Sequence, residues 1–370
     1  MTQLRPPHLR WIAAALAVCA LALVVAACGG GSSSSSGGGE TSAGGGESTS
    51  SSGGSGEMHE VSFQLDWTPN TNHTGLYVAD QKGYYEEAGI KLKILPYSNA
   101  GADTIIGAGK ANCGITFQEN VPLAVAAGTK EKAVMTVVQH QVNALITKKD
   151  SEFTSPKTLS GGTYGGFGLP YEVPMVDQMI EFDGGKGEVK GVTLNTGAYE
   201  AVYNGQVDTS LAFRTWELIE AKERGIELNE FPVDEYGVPD FYNVMIACND
   251  DWLEQNPEVA KAFIEATAKG YEFAVEDPKA AAKILIDANP GVFPRESLVY
   301  ASAEMLAKEF YDDEEGNFGC QTKAKWEEGT NWLFEKGIIT GTDGKPVSSA
   351  PELDTLYSTE FGPAACEGSA

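Results

Sequence analysis

Positive charge and histidine are scarce in this chain. Lysine and arginine number 26 against 52 aspartates and glutamates, giving a formal charge of −26, and there are only 4 histidines. A nucleic-acid surface needs clustered cations to neutralise phosphates, so that class of partner is excluded. There is no Gly-x-Ser-x-Gly, no His-Glu-x-x-His and no Walker sequence, so these hydrolase, metalloprotease and nucleotidase signatures are missing. The 6 cysteines form no Cys-x-x-Cys and no paired Cys/His spacing, which leaves no zinc motif. Past residue 27, no apolar run approaches the roughly 20 residues that a membrane-spanning helix needs. No catalytic residue, cofactor or metal is therefore assigned, and binding becomes the leading class of function.

What is present begins at the N-terminus. Arg5 and Arg10 precede an apolar run from Trp11 to Ala27 that ends in Val25-Ala26-Ala27-Cys28. A charged start, a short apolar stretch and a small-residue exit read as a secretory signal over residues 1–27, not a membrane span. Cysteine directly after the exit resembles the bacterial lipobox, in which that thiol is lipidated. An ordinary signal with a chance cysteine is the competing reading. Residues 29–56 are almost all Gly, Ser, Thr and Glu, a composition that cannot bury enough apolar surface to order itself. Residues 28–56 are thus expected to be a tether, with a root-mean-square reach of about 30 Å. An extracytoplasmic protein, lipid-anchored to the cell membrane through Cys28, is expected.

Residues beyond 56 are enough for a sizeable core and suggest two domains. Of the cysteines in that part, Cys113 and Cys248 lie in apolar, strand-like runs and are expected to be buried hydrophobes. Cys320 and Cys366 lie in polar C-terminal sequence and are the expected disulfide pair in an oxidising compartment.

Strand and helix patterns alternate along the chain. Expected strands are Glu60–Leu65, Ile90–Pro96, Cys113–Phe117, Lys132–Gln139 and Asn143–Lys148, with helices at Gly75–Glu87, Ala102–Ala108 and Val121–Ala127. A second unit opens near Thr158, with strands at Gly162–Gly165, Val192–Asn195, Thr209–Phe213 and Asn243–Cys248. Its expected helices are Val173–Phe182, Tyr199–Asn204 and Trp216–Arg224. The remainder is helical: Asn256–Ala274, Pro278–Asp287, Arg295–Phe310 and Lys323–Lys336, two of them opened by Asn256-Pro257 and Asp277-Pro278. This is an α/β pattern with largely parallel sheets and a helical C-terminal extension. Two such units imply a cleft, a favoured place for a ligand.

Leu65-Asp66-Trp67-Thr68-Pro69-Asn70-Thr71-Asn72-His73-Thr74-Gly75-Leu76-Tyr77-Val78-Ala79 resembles the opening of periplasmic binding proteins related to thiamine pyrimidine synthase. Lys82 to Ile90, Gly107 to Lys110 and Asn249 to Trp252 are similar to the same family. The resemblance implies a type II periplasmic binding protein fold, two α/β lobes joined by two crossing strands near Thr147 and Val244. Residues 57–148 and 245–370 would form one discontinuous lobe, and residues 149–244 the other. It also implies a monomeric carrier that hands a thiamine pyrimidine precursor of the formylaminopyrimidine type, or riboflavin, to the permease of an ABC importer. The alternative is an extracytoplasmic enzyme like the synthase, which uses iron and pyridoxal phosphate. Against it, Val238 to Tyr242 lacks the synthase's cysteine cluster, and Asn120 stands where the donor histidine is expected. No catalysis is assigned, although His59, His73 and His140 leave a triad conceivable.

Several residues suit a flat heteroaromatic ligand. Trp67 offers a large stacking surface at a strand end. Asn70 and Asn72 match ring nitrogens and exocyclic amines, although loop and cap roles compete. His73 and Tyr77, one helical turn apart, can share a face, with capping and core packing as the competing roles. Gln118, Glu119 and Asn120 follow a strand end, where open α/β sheets bind ligands. Gly165-Gly166-Phe167-Gly168, with Tyr171 and Glu172 after it, could cradle an anion at a helix start or be a plain turn. Gly166, Phe167 and Tyr171 are taken as ligand-binding. Arg214, Trp216 and Glu217 cluster after a buried strand, and Glu217 could accept from an aminopyrimidine.

Overall fold

The computed structural model describes residues 58–313, 315–363 and 366. The expected signal segment, Cys28 and the tether lie outside the described residues. In β1 (His59–Gln64), alternation sends Val61 and Phe63 into the core. A single helix was expected over residues 75–87, but the chain forms α1 (Thr74–Gln81) and α2 (Tyr84–Glu87). Gly83 breaks it with φ of 80°, a conformation only glycine adopts without penalty. There follow β2 (Ile90–Leu95), α3 (Ala102–Gly107), β3 (Cys113–Thr116), α4 (Asn120–Ala126) and β4 (Glu131–Thr136).

The second half of the α/β pattern comprises β5 (Asn143–Lys148), β6 (Thr163–Gly166), α5 (Glu172–Phe182), β7 (Lys190–Thr193), α6 (Ala198–Tyr203), β8 (Ser210–Phe213), α7 (Glu217–Glu223) and β9 (Leu228–Pro232). Then come β10 (Met245–Asn249), α8 (Asp250–Gln255), α9 (Pro257–Glu276), α10 (Pro278–Ala288), α11 (Glu296–Glu309) and α12 (Lys323–Glu335).

The first sheet runs β2-β1-β3-β10-β4, with only β10 antiparallel to its neighbours. The second repeats that plan. β5 lies antiparallel between β8 and β9, and a bridge from Tyr164 to Thr209 joins the parallel pair β6-β7 to β8. Each sheet therefore receives one antiparallel strand directly after a crossing. This is the type II periplasmic binding protein fold.

The first crossing was expected near Thr147, but that residue lies inside β5, paired with Asn229 of the second sheet. The chain instead passes between the sheets over residues 137–142. There the amides of Val137 and Val138 donate to the Val244 carbonyl at 2.8 and 3.0 Å, tying this crossing to the returning one. Asp240 on the returning segment accepts from Lys325 at 2.6 Å and from the Gln141 amide at 2.6 Å, and it lies 2.9 Å from His140 Nδ1.

β9 was not expected, since its apolar residues are few and it ends in proline. Pairing with β5 alone, it sits at a sheet edge, where proline is tolerated. The C-terminal part is not confined to the first lobe. Leu333, Ile338 and Ile339 pack into the core of the second lobe, whereas Trp326 and Leu356 pack with Val121, Ala133 and Met245 of the first.

Cys113 and Cys248 are buried, but they are not the free hydrophobes expected: they are joined by a disulfide. Placing β10 beside β3 makes these two residues register partners across 135 positions of sequence. Cys320 and Cys366 form a second disulfide.

Helices α1 and α9 approach closely through glycines, Gly75 on one and Gly270 on the other. A Cβ at Gly270 would stand 2.0 Å from the Gly75 carbonyl oxygen, and one at Gly75 would enter the Tyr271 ring. This contact fixes the loop that enters α1. Tyr271 donates to the Asn72 carbonyl at 2.7 Å, and Tyr311 donates to that of Thr71 at 3.0 Å.

Candidate ligand-binding site

A cavity of about 270 Å³ lies between the two sheets' strand ends. From the first lobe it is lined by Asp66, Trp67, Asn70 and Asn72 after β1, Tyr97 after β2, Asp103 on α3, and Phe117, Glu119 and Asn120 after β3. From the second it is lined by Asn143, Phe167, Leu169, Tyr171, Glu172, Asn195, Tyr199, Phe213, Trp216 and Glu217. Most of these residues follow the C-terminal end of a strand, the position at which open α/β sheets hold ligands.

Aromatic rings form its walls. Trp67 has Tyr97 at 5.4 Å and meets Phe167 of the other lobe edge-on at 5.6 Å. Phe167 continues to Tyr199 at 6.3 Å, and Phe117 meets Phe213 across the lobes at 6.3 Å. Such rings suit a flat apolar-faced ligand.

The polar lining is acidic. No lysine, arginine or histidine is among the described residues that line the cavity, while Asp66, Asp103, Glu119, Glu172 and Glu217 are. Burial pushes the Glu217 carboxyl up to about 7, against the pull of the Phe213 amide, which donates to its Oε2 at 2.9 Å. Burial likewise pushes Glu119 up to about 7. Its Oε1 accepts from Gln141 Nε2 at 3.2 Å, and its Oε2 has no protein partner. Asp103 is raised by burial, with the Thr116 hydroxyl and Asn120 Nδ2 donating to it. Behind it lies Glu131, whose pKa is raised well above the usual range by burial and by the charge of Asp103. Neither carboxyl oxygen of Glu131 has a hydrogen-bond partner, and burial beside Asp103 disfavours its charged form. These groups can donate as well as accept, which matches a heterocycle carrying both an amine and ring nitrogens.

Of the residues singled out from sequence, Trp67, Asn70, Asn72, Glu119, Asn120, Phe167, Tyr171, Glu172, Trp216 and Glu217 line the cavity. His73, Tyr77, Gln118, Gly166 and Arg214 do not. His73 is fully buried. Its Nδ1 accepts from the Asn70 amide at 3.1 Å, so its Nε2 donates to Asp66 Oδ1 at 2.8 Å. It therefore positions a lining residue. Tyr77 belongs to the apolar cluster of Leu285 and Val299. The Gln118 amide is used up between the Lys325 carbonyl and the Tyr242 amide at 3.0 and 2.7 Å. Gly166 is glycine because a Cβ there would stand 2.7 Å from Glu172 Oε1. Arg214 turns away to Glu230 at 3.1 Å and lies over the Phe310 ring.

Sequence reasoning missed Tyr97, Asp103, Asn143, Asn195, Tyr199 and Phe213. Asn195 stands in a left-handed turn with φ of 48°, a conformation that asparagine tolerates better than most residues.

Residues 70–281 match the family described as NMT1/THI5 like. The chain belongs to this family. A formylaminopyrimidine-binding protein of Halalkalibacterium halodurans is 30% identical over 282 residues, covering 75% of this chain and 85% of that protein. A 4-amino-5-hydroxymethyl-2-methylpyrimidine phosphate synthase of Saccharomyces cerevisiae is 26% identical over 247 residues, covering 62% and 72%. Among solved structures, the ligand-binding component of an ABC-type import system from Staphylococcus aureus matches with a TM-score of 0.62 at 13% identity. It covers 85% of this chain and 99% of its own. The alkanesulfonate-binding protein of Xanthomonas axonopodis pv. citri matches with 0.61 at 11%, covering 82% and 100%. These likenesses establish the fold for this NMT1/THI5-like chain.

Proposed function

We propose that this chain is the substrate-binding protein of an ABC importer and that it captures a thiamine pyrimidine precursor of the formylaminopyrimidine type. The observation that carries this reading is the cavity between the lobes, walled by Trp67, Phe167 and Tyr199 and lined by carboxyl groups from both lobes. The relative that is 30% identical is a formylaminopyrimidine-binding protein, and that supports the ligand class. A volume of about 270 Å³ suits one substituted ring better than the three fused rings and sugar-alcohol chain of riboflavin.

Ligand contacts from both lobes supply the differential affinity that favours the closed state, which a membrane permease then reads. The chain's own residues bind and orient: rings stack, and carboxyls and asparagines satisfy the heterocycle's edge. A synthase reading has less support, because Asn120 is spent on Asp103 at 3.1 Å and residues 238–242 carry no cysteine.

The proposed carrier is anchored by lipid on Cys28 and works outside the cytoplasmic membrane as a monomer. Mass spectrometry of natively purified protein tests both parts. An aminopyrimidine among the released small molecules and a diacyl mass on Cys28 are expected. Release of an unrelated compound overturns the ligand, and an unmodified Cys28 overturns the anchor.

A further inference from the structure

The loop between β6 and α5 presents successive backbone N–H groups to one point, the arrangement that binds anions at a helix start. That point is occupied by the chain's own side chain. The Phe167 amide lies 3.0 and 3.1 Å from the two oxygens of Glu172, and the amides of Gly168 and Leu169 donate to Oε2 at 2.7 and 2.8 Å. The Tyr164 hydroxyl donates to Oε1 at 2.9 Å. Gly168 reaches this geometry with φ of 83°, and Gly166 leaves the space that Oε1 needs. Glu172 opens α5, which is 11 residues long, and is 4% exposed. Phe167, Leu169 and Glu172 all line the ligand cavity.

We infer that Glu172 is a specificity-determining residue that makes the pocket reject phosphorylated ligands. It does so in two ways. It consumes the backbone donors that a phosphate would use, and it sets a carboxylate where the phosphate would lie. No described cationic side chain lines the cavity to offset that repulsion. Rejection of this kind yields selectivity without any new contact to the accepted ligand. The accepted class is therefore a pyrimidine alcohol or amine without a phosphate. This inference rests on the pyrimidine reading for its ligand, but the filled loop stands on its own geometry.

The test compares wild type, Glu172→Ala and Glu172→Gln, all as full-length protein. Each is titrated with 4-amino-5-hydroxymethyl-2-methylpyrimidine and with its phosphate ester. Each is also melted in phosphate and in chloride at equal ionic strength. Wild type is expected to bind only the alcohol and to melt alike in both salts. Glu172→Ala is expected to melt lower in chloride and to recover in phosphate by mass action. Its affinity for the ester should rise about tenfold or more, the scale of a charge-assisted hydrogen bond. Glu172→Gln keeps the shape, should gain ester affinity to a smaller degree, and decides the matter if the alanine variant does not fold. Equal binding of alcohol and ester by wild type, or unchanged ester affinity in the variants, overturns the inference. If wild type binds neither pyrimidine, the ligand reading fails. Phosphate-specific recovery of Glu172→Ala then supports the filled loop, and its absence overturns it.

Discussion

Trp67 of the first lobe meets Phe167 of the second edge-on, ring centroids 5.6 Å apart and planes at 84°. Both rings line the cavity, so in the proposed reading one ring both walls the ligand and bridges the lobes. Truncating it removes stacking area and an interlobe contact together. Trp67→Ala is expected to weaken pyrimidine binding by about 1–3 kcal/mol while leaving the melting temperature nearly unchanged. Titration calorimetry with thermal melting checks this; unchanged affinity would remove Trp67 from the pocket.

Glu217 bears on both ligand and pH. Its folded pKa, about 7, lies above the ordinary 4.5, so the folded state holds a proton that the unfolded state has lost. Stability therefore falls as pH rises between those values. Glu217→Gln removes the titration, and the variant should lose less stability than wild type across that window. In the pyrimidine reading, the same change removes the ionised form of the group, the stronger acceptor for an exocyclic amine, costing roughly 1.5–3 kcal/mol of pyrimidine binding. Denaturant melts at a series of pH values and calorimetry read the two effects separately.

Asp240 has the opposite sign. Burial alone raises it, but the His140 hydrogen bond, the Lys325 ammonium and the Gln141 amide outweigh burial and hold it below its ordinary 3.8. The folded state thus binds fewer protons. Its contribution is complete above that value and is lost as pH falls through the depressed folded pKa. Asp240→Asn is expected to cost about 1 kcal/mol at neutral pH, a modest figure because the carboxyl is partly exposed and screened. The difference from wild type should vanish in strong acid. A gap that persists there would mean the asparagine acts through packing.

The two disulfides close loops of very different length. With separations of 135 and 46 residues, Cys113–Cys248 and Cys320–Cys366 restrict the unfolded chain by about 5 and 4 kcal/mol on the chain-entropy estimate. Peptide mapping without reduction should recover both pairs, and reduction should lower stability, more for Cys113→Ala/Cys248→Ala than for the C-terminal pair. Free thiols at Cys113 and Cys248 would contradict the pairing.

The contrast between the two pairs shows what the sequence carried. Cys320 and Cys366 stand out as polar-context cysteines in neighbouring sequence. Cys113 and Cys248 sit in apolar runs that look like ordinary core, and only the insertion of β10 beside β3 makes them partners. The site divides in the same way. Trp67, Asn70 and Asn72 are legible because a polar run directly follows a strand, and Glu217 because a buried strand precedes it. Asp103 was not, since its role depends on Glu131 behind it, a neighbour supplied by the sheet order. His73 and Gln118 look like binding groups locally. Both are consumed by partners within the fold, His73 by Asp66 and Gln118 by the backbone of Tyr242 and Lys325. From sequence the Gly-rich loop could be an anion cradle or a plain turn. Its donors do converge, but Glu172 already fills them.

The most direct measurement is a calorimetric titration of the ligand-free protein with formylaminopyrimidine and, in parallel, with riboflavin. Saturable binding of formylaminopyrimidine at one site per chain, at about micromolar affinity or tighter, with no heat from riboflavin, is the expected result. Binding of riboflavin alone, or of neither compound, would contradict the proposed function.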